Sequence, residues 1–239
     1  MATEEIVPTV YQIGMGYVSA YLIVQDEVTI IDCGLPKRRE TFLNAINKAG
    51  RKPADLKHIA ITHHHVDHTG SLAALVAATG ATAYIHPLDA PIVRGEKSAP
   101  APNRDVLTGR LLGPLLVRVS PSLETVAALH ETNDGDDLSA AGGMKAVHTP
   151  GHTAGHLSYL WPHDSGVLFA GDAAGNLLGR LGAPTGTLGG MFTEDLAAAK
   201  DSFRKLAAFE FDIACFGHGR VLKGKAHAAF RRAVEKMAK

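Results

Sequence analysis

Four histidines and one aspartate lie within six consecutive residues, at positions 63–68, which read His-His-His-Val-Asp-His. An apolar, β-branched run precedes them and predicts a strand that ends just before the cluster. Side chains alternate along an extended chain, so His63 and His65 are expected on one side and His64 on the other. Two imidazoles on one side can bind a single metal ion. A surface cluster or purification tag would lack the preceding strand and the embedded aspartate.

Asp67 and His68 complete the cluster in the turn that leads into a predicted helix. They place a carboxylate and a third imidazole beside the first pair, so a second cation can be bound nearby. Neutral imidazole nitrogen together with carboxylate oxygen suits zinc, and also iron or manganese. We therefore expect two divalent metal ions, with zinc as the first choice.

Three later segments place a potential ligand directly after a predicted strand, in a turn that contains glycine. Their ligands are His152, Asp172 and His218. Glycine lets the backbone turn sharply, which brings each side chain to the rim of a sheet. A single such residue is more often part of the core packing. Four segments of the same design favour one shared metal site.

The ordered motifs resemble those of the metallo-β-lactamase superfamily over about residues 10–221. The matching positions are Asp32 in Ile-Asp-Cys-Gly, the 63–68 cluster, His152, Asp172 and His218. This resemblance implies that the first metal is held by His63, His65 and His152, the second by Asp67, His68 and His218, and that Asp172 bridges them. It implies that Asp32 orients the ligand loop. It also implies an α/β fold (α+β in some schemes), an αββα sandwich of two mixed β-sheets flanked by helices.

The predicted chemistry is hydrolysis. Two divalent ions about 3.5–4 Å apart can share a water molecule and lower its pKa towards neutrality. We expect the resulting hydroxide to attack a carboxylic ester, with a lactone as the first choice, while Asp67 orients it and passes its proton to the leaving group. β-Lactamase, glyoxalase II-like thioesterase and phosphodiesterase activities stay open. The resemblance implies that a bridging Asp172 is typical of the glyoxalase II, lactonase, ribonuclease Z and phosphodiesterase branches rather than of zinc β-lactamases.

Two of the alternatives are disfavoured by the residues present. An iron-dependent oxidoreductase, such as a persulfide dioxygenase, would use one iron, whereas the sequence offers a complete second ligand set. The thioester pocket of glyoxalase II is built by a basic C-terminal extension. Only about 20 residues follow His218, so we expect that pocket to be absent.

The elements that must position these residues alternate along the chain. Strands are predicted at residues 20–24, 29–32, 59–62, 82–85, 145–148, 157–161, 167–170 and 213–216. Helices are predicted at 38–49, 70–79 and 225–237, and a further one with Thr193 as its N-cap. We expect a single domain, 1–239, with two similar halves at about 1–133 and 134–239. Residues 87–119 fit neither pattern and are predicted to be an irregular lid or insertion.

The substrate pocket is expected between residues 15–17, part of 87–119 and the glycine-rich loop 173–191. His64 should face away from the metals, and His156 should pack or donate a hydrogen bond near them. We expect Cys33 to be a small apolar filler. The remaining histidines are expected to be structural or exposed: His58, His86, His130, His148, His163 and His227.

Composition limits the partners. Lys plus Arg equals Asp plus Glu, at 24 each, so no net charge attracts nucleic acid or an anionic membrane. The first residues lack the basic stretch followed by an apolar one that marks a secretory signal. Two cysteines are too few for a disulfide framework, so we expect a cytoplasmic location. We expect a small-molecule substrate, no nucleic-acid or membrane partner, and leave a homodimer open.

Overall fold

Two mixed β-sheets form the centre of the computed structural model, which describes residues 3–119, 124–162, 166–176 and 190–237. The first sheet has its seven strands in chain order: β1 (Thr3–Val7), β2 (Val10–Gly14), β3 (Ser19–Val24), β4 (Val28–Ile31), β5 (Leu56–Ala60), β6 (Thr82–Ile85) and β7 (His130–Glu131). The second has the order β13-β12-β11-β10-β9-β8, formed by β8 (Asp137–Leu138), β9 (Met144–His148), β10 (Leu157–Trp161), β11 (Val167–Phe169), β12 (Ile213–Cys215) and β13 (Leu222–Lys223).

The described residues contain seven α-helices. They are α1 (Arg39–Lys48), α2 (Val66–Thr69), α3 (Leu72–Thr79), α4 (Ala90–Val93), α5 (Leu107–Val119), α6 (Leu196–Ala207) and α7 (Ala226–Met237). Buried residues of α1, α3 and α4 pack on the first sheet, and those of α6 and α7 on the second. Within the described residues, no helix has both the length and the apolar character needed to cross a bilayer.

Alternating apolar side chains explain the layers. In β3, Tyr21 and Ile23 point into the core between the sheets, whereas Leu22 packs towards the helices of the first half. In β11, Phe169 joins the core between the sheets and Leu168 packs towards α6 and α7. A strand that is buried on both faces must be apolar throughout. The predicted αββα sandwich is therefore confirmed.

The paired strand directions explain why the predicted ligands share one edge. Strands β4, β5 and β6 are parallel to one another, and β11 is parallel to β12. Strand β9 is antiparallel to β10, which is antiparallel to β11, so β9 runs in the direction of β11. The carboxyl ends of parallel strands lie at the same edge of a sheet. The segments that follow these strands therefore lie together.

Most predicted elements are present, with shifted ends. The strands predicted at 82–85 and 157–161 have these bounds in the structure. The N-cap prediction of Thr193 is wrong: α6 begins at Leu196, and its N-cap is Asp195. Asp195 Oδ1 accepts from the N–H groups of Ala197 (2.8 Å) and Ala198 (3.0 Å). A carboxylate that satisfies two free N–H groups beside the positive end of the helix dipole determines where this helix starts.

The segment 87–119 is not irregular as predicted, because it contains α4 and α5. It is tied to the segment before α6: the Asn103 N–H donates to Met191 O at 2.7 Å, and Asn103 Nδ2 donates to Thr193 O at 3.0 Å. Of the predicted glycine-rich wall, residues 177–189 lie outside the described residues, as does His163. The two sheets divide the chain between Glu131 and Asp137, and the duplication of the halves stays a prediction.

Candidate metal centre

The structure brings all seven predicted ligands together. Their ring nitrogens and carboxylate oxygens form groups in which every ligand atom lies within 4.8 Å of the others. Group 1 consists of His63, His65 and His152, and group 2 of Asp67, His68 and His218. A third group overlaps both and contains His63, His68 and Asp172. Asp67 and His68 lie in the single helical turn α2 and not in an irregular turn.

Asp172 lies between group 1 and group 2. Its Oδ2 is 3.3 Å from His152 Nε2 and 3.2 Å from His218 Nε2, so it meets one nitrogen from each group. Its Oδ1 is 3.6 Å from His68 Nε2. The carboxylate is buried, as are His63, His68 and His152. Such an arrangement of one carboxylate between two sets of donors is suited to binding a pair of cations.

The hydrogen bonds around the centre orient the ring nitrogens. The Thr62 hydroxyl donates to Asp32 Oδ2 (2.8 Å), so His63 Nδ1–H must be the donor to Thr62 Oγ1 (3.0 Å). This leaves a lone pair on His63 Nε2, which lies 3.0 Å from His65 Nδ1. In the same way, His218 Nδ1–H donates to Tyr17 O at 2.9 Å. The nitrogens that face the centre are therefore lone-pair donors for a metal.

Asp32 acts as the anchor of this region. It follows β4 with a left-handed φ of 60°, which is strained for a residue with a side chain. Its carboxylate accepts from the Thr62 N–H and from the Thr62 hydroxyl, and also from His68 Nδ1–H at 2.8 Å. The bond to His68 directs Nε2 of that ring towards Asp172. The geometry agrees with the orienting role expected of Asp32.

His156 holds Asp172 from behind. The Asp172 N–H donates to His156 Nε2 at 2.9 Å, so the opposite nitrogen, Nδ1–H, donates to Thr149 Oγ1 at 2.8 Å. Gly171 makes this possible, because its φ is 54° and an added Cβ would lie 2.7 Å from His156 Nε2. His156 therefore accepts a hydrogen bond near the centre, where a donated one was considered from the sequence.

Burial sets the protonation of the imidazoles in group 1. Burial lowers the pKa of His63 and His65 well below the usual value, and the neighbouring rings lower it further. Burial also lowers the pKa of His152 to about 4, although the charge of Asp172 opposes this change. Because a metal binds the neutral ring, group 1 is ready to accept a cation at neutral pH.

Unlike the histidines of group 1, His68 of group 2 and Asp172 favour their charged forms. Burial lowers the pKa of His68, but the carboxylates of Asp172 and Asp32 outweigh burial and raise it to about 10. Burial raises the pKa of Asp172, but His68 and His152 outweigh burial and lower it. A cation bound beside His68 would balance the same carboxylate charge that raises this pKa.

Two buried polar atoms support the fit of a metal pair. His68 Nε2 and Asp172 Oδ1 have no hydrogen-bond partner in the structure although both are shielded from solvent. Buried polar atoms are rarely left without a partner in folded proteins. Imidazole nitrogens and carboxylate oxygens are the donors that zinc, iron and manganese accept. The residues present therefore fit divalent ions.

His64 lies outside these groups, as expected from the alternation. Its Nδ1 is 3.0 Å from Asp89 Oδ2, and its backbone N–H donates to the same oxygen at 2.9 Å. No sequence pattern marks Asp89, which follows β6 as a single acidic residue among apolar ones. Burial raises the pKa of Asp89, but the hydrogen bonds and charge of His64, together with Thr153, outweigh it and lower the pKa. Cys33 is buried, and burial raises the pKa of its thiol well above the usual value, so it is no nucleophile.

Comparison with known proteins places this site in a family. The family model described as the metallo-beta-lactamase superfamily matches residues 13–218. A "Probable metallo-hydrolase YflN" of Bacillus subtilis is 32% identical over 211 residues, which cover 82% of this chain and 76% of that protein. A "Hydroxyacylglutathione hydrolase" of Albidiferax ferrireducens is 31% identical over 189 residues, covering 74% of this chain. This chain spans only 57% of the length of that hydrolase.

Solved structures show the same fold. The Rm3 metallo-beta-lactamase is similar over 100% of this chain and 92% of its own, with a TM-score of 0.75 and 22% identity. The metallo-beta-lactamase SMB-1 gives a TM-score of 0.73 at 21% identity, over 99% of this chain and 95% of its own. At this identity the likeness describes the fold and not the substrate.

Proposed function

The chain belongs to the metallo-beta-lactamase superfamily and is a metal-dependent hydrolase, and we propose that it cleaves a small carboxylic ester, with a lactone as first candidate. The observation that carries the proposal is the position of Asp172, whose Oδ2 contacts a nitrogen of group 1 at 3.3 Å and of group 2 at 3.2 Å. A bridging carboxylate supports a centre for two ions, and we propose zinc for both.

In this proposal group 1 would hold the first ion and group 2 the second, with the Asp172 carboxylate placed between the two groups. Ions bound there would supply a water of lowered pKa and polarise the substrate carbonyl. The chain itself supplies orientation, because Asp32 and His156 hold the rings and the carboxylate from the side away from substrate. Preorganised groups of this kind need no rearrangement during the reaction.

We assign the proton transfer to Asp67. Its Oδ2 lies 3.5 Å from His218 Nε2, and both side chains are partly exposed, at 17% and 16%, in contrast to the buried Asp172. Asp67 therefore lies on the solvent-facing side of the centre. A carboxylate there can take the proton of the attacking water at Oδ2 and deliver it to the leaving oxygen.

The walls of the proposed pocket are aromatic at both sides of the centre. Tyr17 is 63% exposed and stacks parallel to the His218 ring at 5.7 Å. Phe192 is 52% exposed, and its ring centroid lies 6.2 Å from that of His65. We propose that residues 87–119 contribute to the Phe192 side, supported by the hydrogen bonds from Asn103 to Met191 and Thr193. Exposed aromatic side chains beside polar groups are typical of small-molecule sites.

A thioester is the second candidate substrate. The relatives named as hydroxyacylglutathione hydrolases support it, because their name denotes cleavage of an acyl–sulfur bond. Esters and thioesters share the same attack at a carbonyl carbon and differ in the leaving group. We also propose a cytoplasmic location, supported by Cys33 and Cys215, which are both buried free thiols.

A substrate panel on zinc-loaded protein tests the proposal. The panel contains an aliphatic lactone, an S-acyl glutathione thioester, a chromogenic cephalosporin and bis(p-nitrophenyl) phosphate, and kcat/KM is measured for each. We expect the lactone to be cleaved fastest, and the thioester next. The cephalosporin or the phosphodiester as the best substrate would overturn the proposal, and so would oxygen uptake by protein purified with bound iron.

Two matched variants distinguish a loss of catalysis from a loss of folded protein. Asp67→Asn keeps the size of the side chain but removes its basic oxygen, so kcat at saturating zinc should fall by about 10²–10⁴-fold. Asp136→Asn is the control, because Asp136 is exposed and accepts only from the Asn133 N–H, at 2.7 Å, among the described contacts of its side chain. Equal activity of the two variants would remove Asp67 from the mechanism.

A further inference from the structure

A buried carboxylate outside the proposed ligand set connects the two turns that carry group 1. Asp89 lies four residues after β6, is 1% exposed and precedes α4. Its side chain contacts the 63–68 segment through His64, and it contacts the turn that carries His152 through Thr153 and Gly155. We refer to these four residues, Asp89, His64, Thr153 and Gly155, as the Asp89 cluster.

Both oxygens of Asp89 accept hydrogen bonds. Oδ2 accepts from the His64 N–H at 2.9 Å and from the Thr153 hydroxyl at 2.8 Å. Oδ1 accepts from the Gly155 N–H at 2.8 Å. His64 stands between two residues of group 1 in the sequence, and Thr153 directly follows the third, His152. The Asp89 cluster therefore connects the first sheet to the second through residues next to the group 1 ligands.

We propose that Asp89 is a positioning residue that fixes the separation of the His63–His65 segment from the His152 turn, and thereby the geometry of group 1. The inference rests on the proposed metal site. The three ligands of group 1 come from two sheets, and within the described residues Asp89 is a side chain that bonds to both of their turns. Residues behind the ligands of metal sites commonly tune metal affinity in this way.

The cluster requires an acceptor without hydrogens. Three hydrogen bonds end on Asp89, and His64 Nδ1 also lies 3.0 Å from Oδ2, so both carboxylate oxygens are needed. In Asp89→Asn, the amide NH₂ must face either the Gly155 N–H or the donors at His64 and Thr153, and one of the turns then loses its partner. A buried donor left without an acceptor is unfavourable. Asp89→Asn keeps the shape of the side chain but has one acceptor fewer. It should therefore loosen one turn while the seven ligands stay intact.

Gly155 gives a second, independent indication. A Cβ added there would lie 2.5 Å from Asp89 Oδ1 and 2.7 Å from Asp89 Cγ. Only glycine allows the carboxylate to reach this backbone N–H. Gly155→Ala should therefore displace Asp89 without any change of charge or of hydrogen-bonding groups.

The test measures metal binding and not only turnover. The affinity for Zn²⁺ is determined by competition with a chromophoric chelator, and the visible absorption spectrum is recorded after loading with Co²⁺. For Asp89→Asn and Gly155→Ala we expect one of two zinc ions to bind about 10–100-fold more weakly and the Co²⁺ spectrum to change. Thr153→Ser should behave as the wild type, and Thr153→Val should lie between.

A core variant separates positioning from general loss of stability. Phe230→Leu shortens a fully buried side chain among α6, α7 and the second sheet, away from group 1. It should lower the melting temperature but keep both zinc affinities. If Phe230→Leu weakens zinc as much as the cluster variants at equal stability, the positioning role is overturned.

The outcomes also separate this inference from the proposed function. Two zinc ions bound by the wild type, with unchanged affinity in Asp89→Asn, Gly155→Ala and Thr153→Val, would overturn the role of Asp89 alone. A wild type that binds no zinc, iron or manganese would overturn the proposed function and this inference with it. Thr153→Val keeps the test decisive if the Asp89 variant does not fold.

Discussion

Gly217→Ala is expected to damage the centre by steric displacement alone. Gly217 lies between β12 and His218, and a Cβ added there would lie 2.2 Å from Asp172 Oδ1 and 2.6 Å from His68 Cε1. The backbone cannot easily retreat, because the Gly217 N–H donates to Gly171 O at 3.0 Å and Gly217 O accepts from the Ser19 N–H at 2.8 Å. The carboxylate and the ring must therefore move instead.

The size of the effect follows from these distances. Ordinary contact of a Cβ begins at 3.4 Å, so the Asp172 carboxylate has to shift by about 1 Å, a displacement that can reduce catalysis about 100-fold. We expect Gly217→Ala to bind less than two equivalents of zinc and to lose about 100-fold in kcat/KM on the best substrate of the panel. Zinc content is measured by plasma mass spectrometry after dialysis.

Gly135→Ala is the matched control. Gly135 has a φ of 84° and no atom within 4 Å of an added Cβ. The alanine there should lower the free energy of unfolding by about 1 kcal/mol through backbone strain but keep zinc content and kcat/KM. Gly217→Ala with the zinc content and kcat/KM of the wild type would refute the reasoning.

Other perturbations of the centre have distinct expected outcomes. Asp172→Ala should lose at least one zinc equivalent and most turnover. His64→Ala keeps the backbone N–H that donates to Asp89, so it should keep both ions; zinc loss would show that the His64 ring itself contributes to the metal centre. Asp32→Asn removes an acceptor of His68 Nδ1–H, so chelator competition should show about 10–100-fold weaker zinc binding at group 2, and an unchanged affinity would exclude that role. The metal-free protein should lose stability as the pH falls from 6.5 to about 4, because the pKa of His152 is 6.5 when unfolded and about 4 when folded, so acid protonates the unfolded chain first. At about 1.4 kcal/mol per pKa unit, protonation of His152 should lower the free energy of unfolding by about 3 kcal/mol. Urea denaturation that shows no such decrease between pH 6.5 and about 4 would contradict the low pKa of His152.

The sequence predicts the bounds of a strand well where burial of its apolar residues alone determines them. Strands β6 and β10 have the predicted bounds because their apolar residues are buried in the sandwich. Strand β1 was not predicted, because Glu4 and Glu5 are exposed at the edge of the first sheet. Strands β7, β8 and β13 have two residues each, so pairing with a neighbour defines them rather than their own composition.

The same contrast holds for the centre. Seven candidate ligands could be found because imidazoles and carboxylates at strand ends form a recognisable pattern. Asp89 and Thr149 could not, because their roles depend on contacts across 25 and 7 positions of sequence with no local spacing to mark them. The residue type of Thr193 predicts a helix cap, but its hydroxyl lies 3.4 Å from His152 Nδ1. Supporting residues are defined by three-dimensional contacts, which a one-dimensional pattern does not contain.

The division of the donors between the two sheets has a thermodynamic consequence. His63, His65, Asp67 and His68 follow β5, whereas His152, Asp172 and His218 follow strands of the other sheet. On the proposed ligand set, each ion cross-links the two halves of the molecule, and no ion can be fully bound unless the halves are docked. By mass action, free zinc at 100 times its dissociation constant would add about 2.7 kcal/mol per site to the stability of the docked state. Heat resistance would then track zinc supply.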